Sequence, residues 1–491
     1  MMKKTTLLTL LVLVGIAPMS AMAAPGDLLQ TFPNPRPSTR QADRNFWVTC
    51  RVAGVGKNLL VGFARDDTFG MDAGAVYLFD TSTGKVVRTF KSPEPGVGHN
   101  FGCSVAAVGS RIVIGEYRAT SKPNLRRAGA AYIFDASTGE LLHTLAKPST
   151  AAEDYFGHPV AVLGENFLAT CERDDTGAKD AGTVFLYDGT TGELLQVFRK
   201  PKPAPHDGFG RALAVVGDNL LVGDDLDDTK GPGAGAAHLL DGSTGELLRT
   251  FYNPLPGRGH GFAKAVAALG SNILVAEKSF KPSRAEGGSV YLFDGVTGEL
   301  LRTFQNPNPV VDDGFGLSVA AVGDNVLIGA NHAHANGLNV GAAYLFDGSN
   351  GKLLHTFLNP TPGWNDQFGV TVAALGENIV ISAPLDDTAG IDAGAIYLFE
   401  GGASADFQAL ELPPVSESKT TTTRLYVRTT PPGARVLLDG QPIGKSPGLF
   451  FAPSGDHKIT FELPGYAPQS QPVTVLDGQI TRLDAQLKRS P

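Results

Sequence analysis

Carboxylates and imidazoles recur in this chain at spacings that could gather them around one site. Two residues ahead of a Phe-Gly pair or its equivalent stand Asp154, Asp207, Asp313 and Asp366, with His99 and His260 at the same place in two other copies. A second series, Asp-Asp-Thr, begins at Asp66, Asp174, Asp227 and Asp386, and three of these continue to an Asp-Ala-Gly at Asp72, Asp180 and Asp392. Acids so spaced are candidates to hold a divalent cation, but aspartates in turns also cap their own backbone N–H groups. His332 and His334 offer two imidazoles, too few by themselves for a metal site. The chain has no G-x-S-x-G elbow, H-E-x-x-H, phosphate loop or dinucleotide fingerprint. No catalytic residue, cofactor or metal is therefore assigned, and His99, Asp154, Asp207, His260, Asp313 and Asp366 are the candidate ligand-binding set.

These residues are positioned by a repeat. An apolar stretch closes on Gly56, Gly109, Gly164, Gly217, Gly270, Gly323 and Gly376, at intervals of 53 residues with a single interval of 55. Each copy reads as four short strands, for instance Phe315–Gly323, then Asn325–Gly329, then Gly341–Asp347, then Lys352–Phe357 after the turn Gly348-Ser349-Asn350-Gly351. Short runs of Val, Ile, Leu, Tyr and Phe bounded by Gly, Asn and Asp are strand signals, and no later window carries a sustained helical stripe. Four strands per unit and a period near 50 define a β-propeller blade, so the fold class is all-β, a seven-bladed β-propeller. By strand alternation, both acidic series leave the ring on one face, the first of them nearest the axis. A ring of carboxylates and imidazoles is expected there, because loops on a rigid scaffold carry binding sites.

Closure is legible as well. A T-G or N-G turn precedes the fourth strand at Gly84, Gly139, Gly192, Gly245, Gly298 and Gly351, whereas the seventh copy reads Gly401-Gly402-Ala403-Ser404. Gly26–Phe32 matches Gly245–Phe251, which predicts that Leu28–Phe32 completes the last blade; the rival outer strand is Phe407–Leu410. Cys50 and Cys103 fall at equivalent places in adjacent blades, too far apart for a disulfide, so with Cys171 they are expected as buried thiols.

The F-G-x-S-V-A-A-V-G and A-G-A-x-Y-L-F phrases resemble the FG-GAP repeat of integrin α-subunit propellers and secreted bacterial proteins. Phe101-Gly102, Phe156-Gly157, Phe209-Gly210, Phe315-Gly316 and Phe368-Gly369 keep the F-G, Phe262-Ala263 and Val48-Thr49 depart, and Ser382-Ala383-Pro384 retains part of the G-A-P. The family's calcium loop, D-x-D-x-D-G, is reduced to Gly217-Asp218-Asn219 or Gly376-Glu377-Asn378, too short for calcium's six to eight oxygens. The D-x-x-T-G-E-L-L phrase is similar to quinoprotein propeller repeats, which place a tryptophan in each blade; only Trp47 and Trp364 occur here.

Past a polar Pro- and Thr-rich linker at 412–423, Pro432–Gly440, Ile443–Pro447, Gly455–Thr460 and Leu463–Tyr466 resemble a PEGA domain, a small module of bacterial envelope and secreted proteins. The likeness covers 424–488 and implies a β-sandwich-like PEGA-type domain serving attachment or spacing. Asp439-Gly440 is a hairpin turn by its own chemistry. At the other end, Lys3 and Lys4, the apolar Leu7–Ile16 and Ala21-Met22-Ala23 form a signal peptide over 1–23, leaving a propeller over 24–411.

Removing Lys3 and Lys4 takes the net charge from −8 to −10. A nucleic-acid partner, which wants a basic face, is not expected, and no later segment is apolar enough to span a bilayer. The 60 glycines in 491 residues are consistent with many repeated turns, and three cysteines exclude a disulfide scaffold. The reading is an exported, non-enzymatic propeller, periplasmic or extracellular, that recognises a protein or glycan partner at the cell envelope. Two rivals stay open: a propeller enzyme (a cation-assisted hydrolase or a quinoprotein-like oxidoreductase), and a structural envelope component that self-associates.

Overall fold

The computed structural model describes residues 24–36, 50–120, 125–255, 261–277, 288–310, 312–335, 338–390, 392–401, 424–431, 434–446, 448–476 and 480–490. The expected signal peptide, the linker, His260 and the rival outer strand Phe407–Leu410 lie outside these residues. Seven four-stranded antiparallel sheets, the blades, follow one another along the chain. Blade one comprises Cys50–Val55, Asn58–Phe63, Ala75–Asp80 and Val86–Phe90, and blade two Ser104–Val108, Arg111–Glu116, Ala130–Asp135 and Leu141–Leu145. Blades three to six occupy 160–198, 212–252, 262–305 and 315–358. The innermost strand of each blade lies against the innermost strands of its neighbours, and that of blade seven against that of blade one.

The burial of each strand explains its composition. Second strands such as Asn219–Asp224 are buried almost throughout because a blade packs on each of their faces, and they read as continuous apolar runs. Outer strands such as Leu194–Phe198 are exposed at their start and anchored by a buried terminal phenylalanine. The Phe of an F-G pair packs against its own third strand, edge-on for Phe101, Phe156, Phe315 and Phe368, as Phe156 does on Phe185 at 5.9 Å and 81°. The same Phe156 backbone bridges in parallel to Gly129 of the preceding blade. Gly129 sits at φ +83, and a Cβ there would overlap the Phe156 carbonyl, so the G-A step and the next F-G are two sides of one blade interface.

Blade seven is closed by the N-terminal segment. Leu28–Pro33 pairs antiparallel with Ala395–Phe399, with Phe32 opposite Ile396. Buried Phe32 packs edge-on to Phe79 of blade one at 5.4 Å, as Phe90 packs on Phe134 at the next interface at 5.7 Å. Cys103 and Cys171 are buried free thiols, so no bridge joins Cys50 to Cys103.

The C-terminal region is a three-stranded sheet facing a four-stranded one across a shared core. Leu425, Val427, Val436, Ile459, Phe461 and Val475 fill that core. Asp439 and Gly440 turn the first hairpin of the four-stranded sheet with φ of 51° and 84°, the positive pair a type I′ turn requires. Among the described residues, no helix is long and apolar enough to cross a membrane.

Candidate functional site

The end of each outer strand, the segment leading to the next F-G and the loop after the next second strand emerge on one face of the ring. The aspartates two residues ahead of F-G belong to this face but are not open on it. Asp154, Asp207, Asp313 and Asp366 are each at most 2% exposed. Their partners stand one or two residues past the outer strand, ahead of a proline: Lys147, Lys200, Asn306 or Asn359. Lys147 Nζ lies 2.6 Å from Asp154 Oδ2 and 2.7 Å from Asp174 Oδ2. Lys200 Nζ lies 3.0 Å from both Asp207 Oδ2 and Asp224 Oδ2, and also contacts Asp227. Asn306 donates to Asp313 at 2.6 Å and Asn359 to Asp366 at 2.7 Å. Turn N–H groups of Ala151, Ala204 and Gly363 donate to Asp154, Asp207 and Asp366 at 2.6 Å each. The expected open carboxylate ring is thus corrected: a buried carboxylate needs a counter-charge or donors beside it, and each blade supplies them locally.

Burial pushes the carboxyls of Asp154 and Asp313 upward. In blade seven, burial followed by the neighbouring Asp386 charge pushes Asp366 up to about 8. Asp224, Asp227 and His238 could converge on a metal ion, but Asp224 and Asp227 already hold the Lys200 ammonium. The cation of this interface is Lys200, from the end of blade three.

The Asp-Asp-Thr loops use their acids as turn residues. The first aspartate accepts the threonine N–H, at 2.7 Å for Asp66 and 2.8 Å for Asp174, Asp227 and Asp386. The second accepts an N–H five residues on, as Asp67 does from Asp72 and Asp387 from Asp392. Asp72, Asp180 and Asp392 themselves stand at φ of 49° to 51°, the left-handed region that aspartate tolerates. The acid spacing is that of a closed loop. His332 is half-buried and His334 exposed.

Around the axis, a different position carries the polar groups. His158, Arg211 and Lys264 directly follow the F-G position of blades three, four and five, and Arg51 enters from blade one. Asp225 binds Arg211 Nη1 and Lys264 Nζ, both at 3.2 Å. Burial of the His158 ring, then the charges of Arg51 and Lys264, pushes its pKa down to about 3. Blades one, three and five are not neighbours, so these charges act on His158 across the axis.

Beside them opens a cleft of about 210 Å³ whose lining includes His99, Arg118, Thr120, Arg126 and Arg127. His99 is the one predicted site residue that reaches it. Tyr117 and Tyr155 stand 5.8 Å apart next to the cleft, with Arg118 over the first ring at 5.0 Å and Arg173 over the second at 4.9 Å. Tyr117 also contacts His158 at 5.6 Å, connecting the cleft to the axis.

Two features of the sequence mark this region. The residue after F-G varies sharply inside an otherwise uniform motif: Cys103, His158, Arg211, Lys264, Leu317 and Val370. The interval of 55 places its extra length between Glu116 and Ala130, where blade four runs only from Asp224 to Ala236.

A family model described as the FG-GAP repeat matches residues 93–134, 202–240, 308–346 and 363–399, and one for the PEGA domain matches 422–491. No curated protein matches the chain. The four repeats lead into or lie within blades two, four, six and seven; the other three blades share the architecture without a match.

Proposed function

We propose that this chain of FG-GAP repeats with a C-terminal PEGA domain is an exported, non-enzymatic binding module that recognises a protein or glycan partner at the bacterial envelope or outside the cell. The observation that carries this reading is the division of labour on the loop face. The repeated acids are spent inside the blade interfaces, whereas a cleft lined by long polar side chains opens on blade two. A rigid ring that presents a differentiated loop cluster is the usual design of a recognition scaffold. The FG-GAP and PEGA matches and the sequence features of residues 1–23 support export.

The test is retention on isolated cell envelope. Immobilised protein lacking residues 1–23 should hold a defined envelope component, and a chain lacking residues 24–411 should not. Equal retention by the C-terminal domain alone would move recognition away from the ring. Turnover of the retained component would refute the non-catalytic reading.

A further inference from the structure

Blade two lacks the acids of the repeat at three positions on the loop face and places a cation at one of them. Two residues before F-G, where Asp154, Asp207, Asp313 and Asp366 stand in other copies, it has His99. Where blades one, three, four and seven have Asp-Asp-Thr, it has Ala119-Thr120-Ser121. Where three blades place Asp72, Asp180 or Asp392 and blade four places Gly233, it has Arg127. From Tyr117 to Arg127 the chain contains no acidic residue, and this loop carries the extra length of the repeat.

Arg127 is held at φ 52. That conformation is easy for glycine or aspartate but costs about 1 kcal/mol or more for a long side chain. Two acids border these cations. Glu116 is fully buried and takes Ser92 Oγ at 2.8 Å and His99 Nδ1 at 3.2 Å. Glu153 takes the Tyr155 hydroxyl at 2.6 Å and Arg127 Nη1 at 3.4 Å, and Arg127 also meets Tyr155; Arg126 is exposed.

We infer that the blade-two cleft binds an anionic group, a carboxylate or a phosphate on a polymer, with Arg126 and Arg127 as its principal donors and His99, Arg118 and Thr120 around it. Guanidinium forks match both oxyanions in geometry and charge. The cluster also gives an otherwise acidic chain a local attractive field for such a ligand. The inference names the ligand class for the recognition reading above and rests on it.

Three probes test it on the protein lacking residues 1–23: polygalacturonate for carboxylate, polyphosphate for phosphate, and neutral dextran. Binding to at least one anionic probe is expected, weakening with salt as charge recognition does, with no binding to dextran. Arg127→Asp installs the residue that three other blades carry at this position and so should fold. Combined with Arg126→Ser, it should weaken binding at least tenfold at an unchanged melting temperature. Unchanged affinity in the folded double variant would overturn the site, and failure of wild type to bind either anionic probe would overturn the ligand class. In both cases, retention of an envelope component by the ring would leave the recognition reading standing.

Discussion

Asp366 has the least to neutralise it among the buried acids of the blade interfaces. Lys147 and Lys200 supply an ammonium at their interfaces, but blade seven has only the neutral Asn359. Its folded pKa of about 8 stands above the ordinary carboxyl value of 3.8. The folded protein then holds a proton that the unfolded chain has released, so stability falls as pH climbs from about 4 to about 8. Asp366→Asn should remove that loss. Its melting temperature should exceed wild type by several degrees near pH 8 and coincide with it near pH 4; equal shifts at both would exclude the linkage. Lys200→Met is the converse experiment. It leaves Asp207, Asp224 and Asp227 buried without their cation and should cost roughly 3–5 kcal/mol in denaturant unfolding. The lysine and asparagine ahead of each proline are plain in the sequence. Their partners are not, because Lys200 and Asp224 meet only after two blades have packed.

At the scale of elements, the N-terminal strand carries the closure of the ring. Leu28–Pro33 supplies the outer strand of blade seven, and Phe32 places its ring on blade one. Deleting residues 24–33 should lower the melting temperature sharply, because blade seven loses a strand and the interface with blade one loses its buried phenylalanine. Phe32→Ala alone should cost about 3–5 kcal/mol, the usual range for a buried aromatic truncated in a core. An unchanged melting temperature in the deletion would mean that the latch adds nothing to closure. This strand was legible because the turn chemistry missing after Phe399 reappears, in matching form, at Gly26–Phe32. The loop between Glu116 and Ala130 was legible only as a spacing anomaly. Its cationic role depends on Arg127 and His99 coming together from separate loops.

At the scale of the whole molecule, the ring and the C-terminal domain are built as separate cores. The C-terminal cluster from Leu425 to Leu487 contains no propeller residue among those described. A chain ending at residue 411 should therefore keep the main calorimetric transition of the intact protein within about 2 °C, since the interfaces that set it are all retained. Loss of that transition would show that the two units fold as one.

The sequence by itself determined the architecture: seven units, four strands in each, an N-terminal latch and a second β domain. These follow from local chemistry, namely which residues alternate, which turns need glycine, and how often both recur. The tertiary structure decided which of the repeated polar residues face a neighbour and which face solvent. That choice is made where one blade hands over to the next, between residues 7 to 27 apart in the chain, where a carboxylate must find an ammonium or an amide before it can be buried. So the acids that looked like a ligand ring became the fastenings of the blades. The arginines of blade two, irregular in the repeat and unremarked in its pattern, became its open chemistry.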